Sequence, residues 1–418
     1  MKKTILPVLL LAAPAALAGT PSPAVAPPPS QGDWITPLID VRIRYEFADI
    51  DRLDVSHALT FRERLGFKTA AWQGFSALVE GEFSQAAIDD FHGGAPLADP
   101  TDPRNSPIFD PETNELNQAY LQYQGFDTTI RLGRQRIVYD AAAFIGDVIW
   151  RQNQQTYDAI SLTNTSIPGL TVNYAYLNQV NRIFGSDADA PLTPGFANVQ
   201  DIAASAHLFN ANYTGIQGVT LGAYAYIMNF EAVRAWDNNT FGIHAKTDLA
   251  GFTLYGELAW QDKAGLAGAE EAMYLHANVT RELALGSAKL GALTVGVEHL
   301  DAGFKTPLAT VHAFNGFADV TDPARISGAH NGLTDTYVSH ALPIFWGMKW
   351  VNVIHILGDN EISAGYGWEY DSVLVKKFND HFTAIAKFAW FNSEGDGFIG
   401  AAPLPDATRF SVEMNYLF

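Results

Sequence analysis

Apolar and polar residues alternate over short segments along most of the chain. In the segment that starts at Ile35, the apolar positions Val41, Ile43, Tyr45 and Phe47 alternate with polar ones. The alternating polar residues are Asp40, Arg42, Arg44 and Glu46. Because successive side chains of a β-strand point to opposite faces, this pattern predicts strands with one apolar and one polar face.

The alternation and the turn residues together predict eighteen strands. They are 35–48, 58–69, 75–88, 116–124, 128–136, 157–164, 170–177, 202–213, 219–229, 240–249, 252–261, 272–280, 293–300, 334–340, 348–356, 365–376, 382–391 and 408–418. Strand ends are the least certain part of such a prediction, and a total of sixteen is the alternative.

The connections between these strands are alternately short and long. Short links lie near Gly74, Gly125, Pro168, Gly215, Gly251, Leu285, Pro343 and Asn379, and long ones cover 89–115, 137–156, 178–201, 301–333 and 392–407. Short periplasmic turns and long external loops are typical of transmembrane barrels. The prediction is therefore an all-β, antiparallel, up-and-down transmembrane barrel, with a soluble β-sandwich as the less favoured alternative.

The N-terminus has the features of a secretory signal. Lys2 and Lys3 precede an apolar stretch, and small residues up to Ala18 form a cleavage site. We predict a signal peptide over 1–18, a proline-rich leader over 19–32 and the barrel over 33–418, with cleavage after Ala26 as the alternative.

Composition restricts the compartment and the partners. The chain has no cysteine and a formal charge of −19. Secreted proteins of eukaryotes usually carry disulfides, so their absence suits a bacterial envelope protein, here in the outer membrane of a Gram-negative-type bacterium. The acidic balance argues against nucleic acid as a partner.

The sequence contains no nucleophile elbow, His-Glu-x-x-His pair or Walker loop, so we predict that the protein is not an enzyme.

Charged residues on the polar faces of early strands are the candidate functional residues. Basic side chains are Arg42, Arg44, Arg62, Arg64 and Arg131, with Arg134 and Arg151 close in sequence, and Glu80 and Glu82 are nearby acids. Guanidinium groups facing a lumen attract anions and donate paired hydrogen bonds to them. The equally weighted alternative is that the arginines pair with Glu80 and Glu82 and only stabilise the wall.

The long connections carry two further hypotheses. Carboxylates crowd 89–115, but their spacing matches no defined calcium loop, so a solvated acidic surface is favoured over a calcium site and no cofactor is predicted. Loops of this length commonly fold into a pore, and we expect 89–115 or 137–156 to do so.

Two motifs resemble the alginate-export family of outer-membrane porins. Leu132-Gly133-Arg134-Gln135-Arg136 is followed by the segment 144–159, FIGDVIWRQNQQTYDA, and a second motif covers 312–319 and 332–337. The resemblance implies an eighteen-stranded monomeric barrel with an arginine-lined constriction for an anionic polysaccharide. On matching positions it would be lined by Arg42, Arg44, Arg62, Arg64, Arg131, Arg134 and Arg151. The inward carboxylates depart from a purely cationic lumen, so alginate itself is not inferred.

The sequence therefore favours a porin for small polar solutes, anionic or carbohydrate, with polysaccharide as a further candidate. A plugged barrel acting as a surface receptor or adhesin through its loops is the alternative. Expected partners are outer-membrane lipid and, through the last strand ending in Phe418, the barrel-assembly machinery.

Overall fold

The computed structural model describes residues 34–94, 99–185, 201–231, 233–359, 365–395, 397–399 and 402–418. Eighteen strands of one antiparallel sheet form the wall. They are β1 (Ile35–Ile50), β2 (Ser56–Thr69), β3 (Phe75–Asp90), β4 (Thr113–Gly125), β5 (Thr128–Gln135), β6 (Thr156–Asn164), β7 (Leu170–Asn181), β8 (Ile202–Ile216), β9 (Val219–Phe230), β10 (Asn238–Leu249), β11 (Phe252–Ala264), β12 (Glu270–Leu285), β13 (Ala288–Leu300), β14 (Leu333–Pro343), β15 (Lys349–Gly358), β16 (Gly365–Lys377), β17 (Phe382–Ser393) and β20 (Ala407–Leu417). A separate hairpin pairs β18 (Gly397–Ile399) with β19 (Ala402–Pro403).

The sheet closes on itself between its first and last strands. β1 pairs with β2 on one side and with β20 on the other, in a register that runs from Asp40 opposite Leu417 to Ile50 opposite Ala407. Closure leaves no sheet edge with unpaired backbone groups, which is what a hydrocarbon environment requires. All eighteen predicted strands are confirmed, and the alternative of sixteen is wrong.

The two faces of the wall differ in exposure as the alternation predicts. On β1, Arg42 and Arg44 are buried inside the barrel, whereas Ile43 between them is 42% exposed. The outward face is apolar on most strands. Glu63 lies on that face, and the pairing of β1 with β2 runs through it without a bulge.

Connections at the two ends of the barrel differ in length. The end of the barrel with the tight links is called the turn end here. It includes the reversal at Ala250 and Gly251, whose φ angles are +51° and +80°. A tight reversal of this kind joins antiparallel strands directly, and Gly251 adopts the left-handed conformation without a Cβ clash. The opposite, loop end carries the long connections.

Among the described residues, three long connections fold into the barrel. We call them L2 (91–94 and 99–112), L3 (136–155) and L7 (301–332). L3 and L7 bind each other through the backbone, since Gly146 N–H donates to the Leu308 carbonyl at 2.8 Å and Thr310 N–H to the Ala142 carbonyl at 3.0 Å. Inward folding of 137–156 and of part of 89–115 is confirmed, and the same behaviour of L7 was not predicted.

An apolar core forms between L3, L7 and the inner face of the wall. Phe144 of L3 packs against Tyr224 and Tyr274 of the wall and against Phe304 of L7, with ring centroids 5.1 to 6.0 Å apart. L7 also contains the short helix α1 (Asp322–Ser327) and the 3-10 turn Val311–Ala313; two further 3-10 turns are Arg234–Trp236 and Phe345–Gly347. No helix among the described residues is long and apolar enough to cross a membrane.

Candidate solute constriction

Four arginines lie on two neighbouring strands of the wall. Arg42 and Arg44 on β1 and Arg62 and Arg64 on β2 share the inward face, and Arg42 is directly opposite Arg62 in the register. The pairing of two strands with the same arginine-x-arginine spacing therefore places four guanidinium groups in one region of the wall, which we call the arginine sector. Like charges on directly opposed residues repel, so this arrangement needs compensating partners.

L3 supplies part of that compensation through backbone carbonyls. Arg42 Nη1 donates to the carbonyl oxygens of Ile149, Trp150 and Arg151 at 3.2, 3.3 and 2.8 Å. Arg64 Nη2 donates to the carbonyl of Gln152 at 3.1 Å. The wall arginines thus hold the segment 149–152 of L3 against β1 and β2.

Carboxylates from β1, β3, β20 and L2 complete the compensation. Arg44 contacts Glu413 of β20 at 2.5 Å and Asp110 of L2 at 3.0 Å. Arg64 is paired with Glu82, and Arg62 with Asp40. Every one of these guanidinium groups is buried, so the ion pairs operate at low local dielectric and removal of one partner would leave a costly buried charge.

Arg151 connects L3 to both the wall and L7. Its Nη1 lies 3.1 Å from Glu46 on β1, and its Nη2 lies 2.9 Å from Asp319 in L7. Its Cζ lies 3.9 Å from the centroid of the Trp150 ring. Ion pairs with two carboxylates raise the pKa of Arg151, which remains charged.

His312 joins L7 to the same cluster. Its Nδ1 is 2.8 Å from Asp319, its Nε2 is 3.4 Å from Nζ of Lys387, and its ring stacks on Trp150 with centroids 3.3 Å apart. Burial lowers the pKa of His312 to about 3. The ring is therefore neutral near pH 7, with Nδ1–H donating to Asp319 and Nε2 accepting from the Lys387 ammonium.

The cluster contains nearly equal numbers of opposite charges. Cations are Arg42, Arg44, Arg62, Arg64, Arg151, Lys387 and Arg409, and carboxylates are Asp40, Glu46, Glu82, Asp110, Asp319 and Glu413. Three cations retain donor capacity among the described residues: Nε and Nη1 of Arg62 and Nε of Arg151 have no hydrogen-bond partner there, and Lys387 has no carboxylate within ion-pair distance.

The other predicted site residues occupy different surroundings. Glu82 belongs to the cluster, whereas Glu80 accepts from Asn117 and Gln118 on β4 at 2.8 and 2.9 Å. Arg131 donates to Gln122 at 2.8 Å, and Arg134 pairs with Asp158 at 2.8 Å near the loop end of β5 and β6. Arg131 and Arg134 are thus held on β4–β6, and the structure does not bring them into contact with the β1–β2 arginines.

Carboxylates on β13 and β16 of the wall hold the tip of L7. The amide of Ala318 donates to Glu369 at 2.6 Å and the amide of Phe317 to Asp371 at 3.2 Å. Asn315 donates to Glu298 at 2.8 Å, and Arg325 pairs with the same Glu298 at 2.8 Å. L7 therefore connects the carboxylates of β13 and β16 to the arginine cluster, which it contacts through Asp319 and Arg151.

Sequence reasoning missed several members of the cluster. Lys387 was detectable as a lone charge at an inward position of an otherwise apolar strand. Alternation in the last strand places Arg409 and Glu413 on its inward face. His312 and Asp319 lie in a loop, where no periodicity indicates direction, so only the second family motif pointed to them.

The acidic residues of 89–115 that the structure describes go to separate partners. Asp110 binds Arg44, Asp102 binds Arg104 at 2.7 Å, and Asp90 accepts from Asn105 at 3.0 Å. Among the described residues, no group of three or more histidines or carboxylates could hold a metal ion.

Comparison with known proteins gives structural neighbours only. No family model matches the chain, and no curated protein matches it. Pseudomonas aeruginosa OpdQ superposes with a TM-score of 0.66 at 11% identity, over 92% of this chain and 99% of that one. OpdK of the same species, solved with vanillate, gives 0.63 at 13% identity over 91% and 98%, and Acinetobacter baumannii OccAB2 gives 0.62 at 15% over 92% and 98%.

These neighbours confirm the fold. The chain is a closed eighteen-stranded transmembrane barrel of the kind found in the outer membrane protein OpdK, and the predicted outer-membrane location agrees with that fold. The resemblance to the alginate-export family stays a prediction. The signal peptide, the leader and their cleavage site lie outside the described residues, as does most of the connection 178–201.

Proposed function

We propose that the protein is an outer-membrane porin through which small polar, anionic solutes diffuse past the arginine sector. The observation that carries the proposal is the unused donor capacity of Arg62 and Lys387 in a buried, slightly cationic cluster. A carboxylate or a similar oxyanion entering there would accept hydrogen bonds from groups that otherwise stay unpaired. The vanillate bound by the structural neighbour OpdK is such a carboxylate.

The charge balance of the cluster also limits how strongly the channel can prefer anions over cations. Because six carboxylates offset most of the cationic charge, the cluster would favour anions without excluding cations, unlike a ring of unpaired arginines. Uncharged carbohydrate would gain hydrogen bonds from the same side chains. Polysaccharide passage would additionally require L3 and L7 to leave the lumen, since their contacts with the wall cross it.

Conductance in planar bilayers tests the proposal. The purified protein should form ion-conducting channels in which chloride is preferred over potassium. Replacing both Arg62→Gln and Lys387→Met should reduce that preference, whereas Arg281→Gln, an exposed position away from the cluster, should not.

Two outcomes would contradict different parts of the proposal. Insertion without conductance would contradict porin function altogether. Conductance with a selectivity that the double variant leaves unchanged would contradict only the role assigned to Arg62 and Lys387.

The contacts across the lumen also support the alternative of a plugged receptor or adhesin. L3 is bound to β1 and β2, and L7 is bound to L3 and to β16, so the described loops fill the constriction. If the barrel is a receptor, shortening an external loop should abolish ligand binding to cells while conductance stays negligible with and without the loop.

A further inference from the structure

A second cavity lies among the loops, apart from the charged cluster. Its volume is about 700 Å³, including the part open to solvent, and L2, L3, L7 and residues 182–184 surround it. Its walls are mainly apolar side chains, among them Phe109, Val148, Phe184, Val311 and Ile326. Cavities with mainly apolar and aromatic walls are the common form of small-molecule sites in proteins.

The charged groups around this cavity are largely engaged elsewhere, and Nε of Arg151 is the nitrogen of that side chain without a hydrogen-bond partner among the described residues. The terminal nitrogens of Arg151 bind Glu46 and Asp319, and its Cζ lies over the Phe109 ring at 5.4 Å. The guanidinium of Arg182 lies over the rings of Phe184 and Trp236, at 5.9 and 5.0 Å from their centroids. The walls thus offer a ligand aromatic faces and aliphatic surface.

Asp322 is the one carboxyl group among the described residues that line the cavity. It lies in the first turn of α1 and is buried, and burial and the neighbouring Asp319 raise its pKa well above the ordinary value. Its surroundings therefore disfavour a charge on Asp322. An anionic solute would lose its hydration against the mainly apolar walls, which makes the cavity unsuited to it.

Trp150 and Arg151 also line the charged cavity of about 320 Å³ on the side of β17 and β20. The same two side chains therefore separate an apolar compartment from a charged one. The two compartments present different chemistry and have Trp150 and Arg151 as their common wall.

We propose that the apolar cavity is a binding site for a small uncharged solute with an apolar, ring-sized body. The site does not rest on the proposed porin function, because a plugged barrel would contain it equally. Burial of an apolar ring against Phe109, Trp150 and Phe184 would supply the affinity through removal of apolar surface from water.

Crystals of the detergent-purified protein test the site without any need for conductance. Pressurised xenon and, separately, a cyclohexanol soak should each give density between Phe109, Trp150 and Phe184. Val311→Phe fills the cavity and should abolish both signals, whereas Val138→Phe, on an exposed part of L3 outside the cavity, should leave them unchanged. In solution, saturation-transfer NMR should show cyclohexanol affinity lowered on the order of tenfold or more by Val311→Phe.

Three results would overturn the proposal. They are absence of density in the wild-type cavity, persistence of the signal in Val311→Phe, and binding of myo-inositol there as strongly as cyclohexanol. The last result would show that a polar ring satisfies the site and that its apolar walls do not select the ligand.

Discussion

At the residue scale, His312 is a buried titratable group of L7 that other side chains contact on both ring faces and at both nitrogens. Trp150 and Phe317 stack on its ring, Asp319 and Lys387 bind its two nitrogens, and Arg151 lies close enough to disfavour a further positive charge. The neutral ring fits this environment because it both donates and accepts. Protonation would place a second cation against Lys387, so the docked loop resists it.

Acidification should therefore loosen L7. The docked ring has a pKa of about 3, whereas a ring exposed on an undocked loop has the ordinary value near 6.5. Between these values the undocked state binds more protons, so docking weakens as pH falls, by about 2 kcal/mol at pH 5. We expect channel conductance or its fluctuation to rise between pH 7 and pH 4 in the wild type.

The control for this prediction is His312→Gln, which keeps a donor and an acceptor but does not titrate. Its conductance should stay flat over the same pH range. A wild-type response that the variant reproduces in full would assign the titration to other groups.

At the scale of elements, strands and loops differ in how far sequence predicts them. Strands such as β2 and β20 were located from alternation because each inward or outward position follows from a two-residue period. L7 has no period, and its inward path depends on contacts with Glu369 and Asp371, which lie tens of residues away in the chain. The arginine sector was predicted as a set, but its neutralisation by L2, L3 and L7 was not, since it depends on loop paths.

Gly316 tests whether the tip of L7 blocks the lumen. Its φ is +97°, and a Cβ there would lie 2.4 Å from the buried carboxylate of Glu369. Gly316→Ala should therefore weaken docking by about 1–3 kcal/mol through backbone strain and the clash. Conductance should increase, and proteases should cut L7 faster in intact barrels.

The matched control is Gly218→Ala at the turn end, where φ is +74° and nothing lies within 4 Å of an added Cβ. It carries the strain of a positive φ without the clash, so conductance should match that of the wild type. Equal effects of the two variants would show that strain alone, not the contact with Glu369, is responsible.

At the scale of the whole molecule, closure joins the two ends of the chain through a charged contact. Inside the barrel, Glu413 of β20 accepts from Arg44 of β1 at 2.9 Å and also lies 3.9 Å from Arg42. The same seam carries the backbone ladder that ends with Phe418 N–H donating to the Ile39 carbonyl at 2.8 Å. The seam thus joins the first and last strands of the sheet. Its side chains Arg44 and Glu413 also belong to the charged cluster of the constriction.

Removing this carboxylate should weaken the barrel as a whole. Glu413→Ala leaves two buried guanidinium groups without their seam partner, a change that typically costs about 3–5 kcal/mol. Samples heated in SDS to increasing temperatures and run on a gel show a folded band that converts to an unfolded one. The temperature of that conversion should be clearly lower for Glu413→Ala than for the wild type. Glu271→Ala removes an exposed carboxylate that accepts a 3.4 Å hydrogen bond from Trp260, and it should leave the transition in place. An unchanged transition in Glu413→Ala would mean that backbone pairing alone sets the resistance of the barrel, and the charged seam would then serve the constriction only.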